Sequence, residues 1–219
     1  MNKQRGPYKS RDPEITKQLL VDTVGVILTE EGYKGLGVNK IGIRAGVNKK
    51  LIYWYFTSYN NLLKTYIRGR DFWKPIFEKF RLTKKPKEHE LPGYISAIFK
   101  EQFHHFLTNA EMQKMIQWQV SESHPLLKEI SDEREAQGDP IAKLTDPHFK
   151  DSGISFRAVL ALVLGGIYYT VWHAGTNKSK VCGVDINEER DKVAFEKAIG
   201  QVIEAVWKLA ETERDEGSL

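Results

Sequence analysis

Apolar positions along this 219-residue chain recur every three or four residues, and no alternating apolar–polar run of strand type is longer than about four residues. The pattern predicts an all-α protein. The first periodic segment opens on Asp12 as N-cap with Pro13 at the first helical position. Leu20, Val24, Ile27 and Leu28 then follow at helical spacing, and Gly32 stops the run. A second, short helix is expected from Val38 to about Arg44, with Gly46 breaking it, and a third from about Asn48 to Phe56. Ser58 should cap a fourth, longer helix that runs to Leu82 with a kink at Pro75.

The charged, proline-bearing stretch "TKKPKEHELPG" reads as a loop. Helix resumes near Tyr94, again at "EMQKMIQWQVSE" and again at "PLLKEISDEREAQGDPIAKL". Residues 152–173 form the most hydrophobic segment. Its uncharged run, Ala158 to Trp172, has 15 residues, whereas a helix spanning a bilayer needs roughly 20. Burial in a bundle or a subunit interface is therefore expected. The last helix, about 186–211, is amphipathic, with Val193, Ile199, Val202, Ile203, Val206 and Leu209 marking one face.

Three short helices joined by tight turns, with "AGVN" linking the second to the third, make a helix-turn-helix, whose second helix enters the DNA major groove. Charge adds weight to that end of the chain. Residues 1–60 carry ten Lys/Arg against five Asp/Glu, while the other 159 carry 23 against 24. A basic end on a near-neutral body suits a polyanion partner. Lys3, Arg5, Lys9 and Arg11 precede the first helix as a basic arm that could reach phosphate or the minor groove.

At about 100° per residue, Ile52 and Phe56 share one face of the third helix and make a natural core stripe. Lys50, Trp54 and Leu51 fall on the opposite side, with Lys49 and Tyr53 at one flank and Asn48 and Tyr55 at the other. An exposed tryptophan beside lysines calls for a partner.

The stretch "GYKGLGVNKIGIRAGVNKKLIYWYFTSYNNLL" resembles the DNA-binding segment of the tetracycline-repressor (TetR) family of transcriptional regulators. Gly32-Tyr33, Val38, Ile41, Ala45-Gly46-Val47, Lys49, Tyr53, Tyr55-Phe56, Ser58 and Leu62 carry the likeness, which covers roughly residues 14–65. It implies a homodimeric repressor, cytoplasmic and not an enzyme, that leaves a palindromic double-stranded DNA operator when a small molecule binds. Residues 1–57 would be the DNA-binding domain and 58–219 an antiparallel helical ligand-binding and dimerisation bundle. DNA contacts carry over to Asn48, Lys49, Tyr53, Trp54 and Tyr55. Arg44, on the second helix, is a further candidate.

Four positions depart from the family pattern. Lys50 stands where a glycine is usual and Leu51 where a small polar residue is usual; the hypothesis is that Lys50 reads guanine and Leu51 touches a thymine methyl. Tyr59 replaces a common phosphate-contacting lysine, and Gly37 replaces the usual threonine cap.

In the larger domain an apolar pocket with a few polar groups is expected, suited to a small hydrophobic or aromatic effector. Its candidate lining is Trp73, Phe99, Phe103, His104, Trp118, Tyr168, Tyr169 and Trp172, each of which could equally be ordinary core. No cofactor is expected, and no His/Cys set has metal-ligand spacing. Cys182 cannot form an internal disulfide, being the one cysteine, and reads as a bystander thiol. Helices 154–173 and 186–211 are the expected homodimer contacts. No nucleophile elbow, phosphate-cradling glycine loop or HExxH motif points to an enzyme. The remaining alternative is a helical protein–protein adaptor docking through Trp54 and Leu51.

Overall fold

The computed structural model describes residues 12–70, 73–82 and 84–216. The basic arm of Lys3, Arg5, Lys9 and Arg11 lies outside the described residues. Ten α-helices follow one another, and the sole β pairing among the described residues is an isolated bridge between Val181 and Val184. The chain divides into two compact units, residues 1–71 with 114–128, and residues 72–113 with 129–219.

The first unit contains α1 (Pro13–Glu31), α2 (Val38–Arg44), α3 (Lys50–Phe56) and α4 (Tyr59–Gly69). Asp12 accepts from the Glu14 N–H to cap α1, and Gly32, at φ 72°, ends it by donating to the Leu28 carbonyl. Ser58 caps α4 by accepting from the Asn61 N–H. Leu20, Val24, Ile27 and Leu28 of α1 meet Ile41 of α2, Ile52 of α3 and Leu62 and Tyr66 of α4 in a fully buried core. Each such side chain contributes on the order of 1.5–3 kcal/mol of burial. The division expected at residue 57 differs from this one, because α4 packs on α1 and belongs to the first unit. The last turns of α7 (Ala110–Ser121) and the start of α8 (Pro125–Phe149) belong there too.

The second unit contains α5 (Lys74–Lys79), α6 (Leu91–Thr108), most of α8, α9 (Phe156–Trp172) and α10 (Glu189–Glu216). Pro75 does not kink α4. It sits in the first turn of a separate helix, α5, where its missing N–H costs nothing. The longest packed pair is α6 with α10, and Gly200 permits their approach: a Cβ there would lie 2.9 Å from the Ser96 hydroxyl. His148 of α8 is buried against α10, its ring 3.8 Å from the Trp207 ring, with Nε2 3.0 Å from the Trp207 carbonyl and Nδ1 2.8 Å from Glu88.

The apolar face expected on the last helix is in fact two faces. Ile199 and Ile203 are buried, whereas Val193, Val202 and Leu209 are exposed. Those six positions spread too far around the helix for one neighbour to cover them.

Candidate functional site

The α2–α3 corner is built by backbone. Gly46 takes φ 63°, a left-handed conformation that favours glycine. The Val47 N–H donates to the Gly42 carbonyl across the turn. A Cβ on Gly42 would lie 3.2 Å from the Lys49 Cβ, the Lys49 nitrogen and the Val47 oxygen, so only glycine lets α3 lie this close to α2. Sequence reasoning missed Gly42; a glycine inside a short helical run was the available signal. The Asn48 side chain accepts from the Lys50 N–H and so opens α3 two residues later than its expected start.

From this corner α3 points its aromatic edge outward. Trp54 is 81% exposed and Tyr53 51%. Lys49, Lys50 and Asn48 are exposed as well, Tyr55 and Leu51 are half-buried, and Ile52 anchors the helix from below. Phe56, expected beside Ile52 in the core, is only half-buried. Tyr59 is half-buried too, and burial raises its hydroxyl above the ordinary value. That inward turn makes Tyr59 the weakest of the expected contacts. Ile43, absent from the sequence expectations, is 81% exposed on the last turn of α2.

The cations are not equally available. Arg44 pairs with Glu30 and lies 3.8 Å from Glu31, and Lys40 pairs with Glu31. Both α2 cations are thus tied to the acidic end of α1. The Lys49 ammonium donates to the Asn39 side chain at 2.7 Å, from the neighbouring helix. Lys50 makes no ion pair among the described residues. Lys49 and Lys50 are therefore the cations that can meet phosphate or a base edge without first breaking an ion pair, and Arg44 must exchange Glu30 for it.

Residues 26–65 match the family described as bacterial regulatory proteins, tetR family. The chain carries a TetR-family DNA-binding domain. No curated protein matches the chain in sequence. Among solved structures it is similar to the fatty acid degradation regulator FadR from Bacillus halodurans, at 16% identity and TM-score 0.60, over 92% of this chain and 96% of that one. It is also similar to a TetR family transcription regulator from Marinobacter aquaeolei, at 15% identity and TM-score 0.60, over 90% and 95%. NalD, the secondary repressor of the MexAB-OprM efflux pump in Pseudomonas aeruginosa, follows at 16% identity and TM-score 0.54, over 85% and 96%. At these identities the likeness is one of fold.

In the second unit, half of the expected pocket residues come together. Trp73 forms a buried cluster with Ile76 and Ile98, and Phe99 and Leu164 pack against it. Tyr168 lies 4.4 Å from the ring of Phe106 and 6.0 Å from that of Trp172. Gln102, fully buried, donates its amide N–H to the Tyr168 hydroxyl at 2.9 Å. Burial pushes the Tyr168 phenol up to about 12, against the opposing pull of Arg134 and of the hydrogen bond from Gln102. The Trp172 indole N–H donates to the Gln113 carbonyl.

The other four expected lining residues lie elsewhere. Phe103 packs on Phe195 of α10, turned about 100° round α6 from Gln102. His104 is exposed and 3.1 Å from Glu196. Tyr169 is exposed on α9, one residue round from Tyr168. Trp118 is in the first unit, stacked on Tyr33. Helical rotation accounts for three of these: neighbours such as Phe103 and His104 diverge by about 100° and cannot face one pocket. Gln102 and Phe106, which sequence reasoning did not single out, are one turn apart on α6 and meet Tyr168 together.

Proposed function

We propose that this chain is a homodimeric repressor that grips a palindromic operator through α3 and releases it when a small apolar or aromatic effector enters the second unit. The observation that carries this reading is the outward edge of α3. Trp54, Tyr53, Lys49 and Lys50 stand together in solvent on a helix-turn-helix anchored from the other side by fully buried Ile52. Lys50 and Leu51 at the start of α3 would read bases, and the tyrosine hydroxyls would position the helix on phosphates. Its work would lie in the cytoplasm.

Dimerisation through α9 and α10 is supported by what these helices leave uncovered. Ala158, Ala161, Leu162, Gly165, Gly166 and Tyr169 lie along one exposed stripe of α9. On α10, Ala194, Ala198, Val202, Ala205 and Leu209 form another, about 120° round the helix from buried Ile199 and Ile203. Residues 156–177, with mean hydropathy 1.4, are long and apolar enough to cross a bilayer by length and composition. A second copy of this chain suits the stripe better than lipid does. Its small residues let helix backbones approach, and α10, which packs on α9, presents a second such stripe.

A selection from random duplex oligonucleotides with the purified full chain tests this reading. A palindromic consensus, bound with steep salt dependence, is expected. Binding to a protein partner through Trp54 and Leu51, insensitive to salt and with no enriched DNA, would establish the adaptor alternative instead. Leu162→Glu on α9 should yield a monomer by sedimentation that binds one half-site weakly.

A further inference from the structure

The pairing of Gln102 with Tyr168 leaves hydrogen-bonding capacity unspent in a place where water is scarce. Gln102 is 0% exposed, and its side-chain oxygen has no hydrogen-bond partner among the described residues. Leaving such an acceptor bare is costly, so it is an arrangement that asks for a donor. The Tyr168 hydroxyl accepts from the Gln102 N–H, so its own proton is still to be donated.

Exchanging the oxygen and nitrogen of the Gln102 amide does not remove the vacancy. Tyr168 would then donate to the amide oxygen, leaving both amide N–H groups and a lone pair on the phenol oxygen. In either orientation the pair offers at least one donor and one acceptor side by side. Around it the walls are aromatic: Phe106 and Trp172 bracket Tyr168. Arg134 and Glu135 act on Tyr168 in opposite senses, Arg134 the more strongly. Tyr168 and Phe99 are half-buried.

We infer that the effector is a neutral aromatic molecule bearing a hydroxyl or amide group, which gives a hydrogen bond to Gln102 and takes one from Tyr168. This inference rests on the reading of the second unit as the effector-binding domain. A carboxylate has no proton to give, and its charge would be buried against the Gln102 oxygen. An ether or a plain arene would leave that oxygen unmet.

The test uses three probes of one shape, 2-naphthol, 2-methoxynaphthalene and 2-naphthoate, titrated into the full chain at pH 7.5 with tryptophan fluorescence as the readout. 2-Naphthol should bind at least about tenfold more tightly than the ether, and more tightly still than the carboxylate. Gln102→Leu and Tyr168→Phe should each erase the preference for naphthol over the ether, while the ether's own affinity changes little. Equal binding of all three, binding of none, or a preference that survives Gln102→Leu would overturn the inference. Binding of the unliganded protein to its selected operator is measured alongside. Operator binding without a naphthol preference sinks this inference alone, whereas absence of operator binding sinks the regulator reading.

Discussion

The rings of Tyr33 and Trp118 lie parallel, 3° apart in plane with centroids 6.4 Å apart, although 85 residues separate them in the chain. Tyr33 opens the short 3-10 turn Tyr33–Gly35 after α1, and Trp118 is nearly buried on α7. The Tyr33 hydroxyl is held above its ordinary value by partial burial and by its hydrogen bond with Glu122, one turn beyond Trp118. So the end of α7 packs as a part of the DNA-binding unit.

Trp118→Ala should therefore weaken the first unit. The expected loss is about 3 kcal/mol, the usual cost of removing a buried aromatic side chain, and operator affinity should fall with it. Tyr33→Phe keeps the stack and loses only the hydroxyl, so it should cost about 1 kcal/mol or less. Urea unfolding of the two variants checks the contrast; a Trp118→Ala variant as stable as Tyr33→Phe would mean that the stack does little.

Gly42→Ala places a methyl group 3.2 Å from the backbone of Val47 and Lys49. Overpacking at such a contact costs about 1–3 kcal/mol. Because the new atom pushes α3 away from α2, DNA affinity should drop by more than stability alone explains. Mobility-shift titrations at a temperature where the variant is fully folded separate the two effects.

The ion pairs on α1 and α2 lead to opposite expectations for two substitutions. Lys50→Ala removes an available cation, so the slope of log affinity against log salt should become shallower by about 0.9, the release expected for one phosphate contact. Glu31→Gln frees Lys40 and loosens Arg44, so the slope should steepen and non-specific affinity should rise. If Lys50 instead reads a guanine, Lys50→Gly changes the selected operator sequence. Titrations at three salt concentrations and a repeat selection decide between these roles.

The Tyr168 phenol, pushed up to about 12 from an ordinary 10, holds its proton more tightly in the folded chain than in the unfolded one. Its contribution to stability is present below pH 10 and is lost as pH rises from 10 to about 12. On the order of 2 kcal/mol should disappear across that interval. Tyr168→Phe has no such proton, so its stability should fall less steeply over the same pH range. Parallel pH-dependent denaturant titrations of the two proteins, differing only at this residue, give the comparison.

The helical class, the caps at Asp12 and Ser58, the stop at Gly32 and the helix-turn-helix were all legible in the sequence. Each depends on residues within a few positions of one another, where backbone hydrogen bonds and side-chain spacing act locally. The exposure of Trp54 beside Lys50 was legible for the same reason, since one helix with one buried stripe at Ile52 leaves little choice about its other side. The aromatic cluster around Tyr168 was half legible. The chain is rich in aromatic residues, but which of them share a space depends on the rotation of α6 and α9 against each other, and no local rule sets that angle.

Local pattern by itself determined that α3 is the second helix of a helix-turn-helix and that residues 156–172 lie in the most apolar segment of the chain. Tertiary structure alone decided that Arg44 is tied to Glu30 while Lys50 is not, and that Trp118 serves Tyr33 rather than an effector. It alone brought Gln102 of α6 to Tyr168 of α9. The physical reason is common to all three: each joins residues 14 to 85 positions apart, and only the packing of whole helices sets which distant polar and aromatic groups are neighbours.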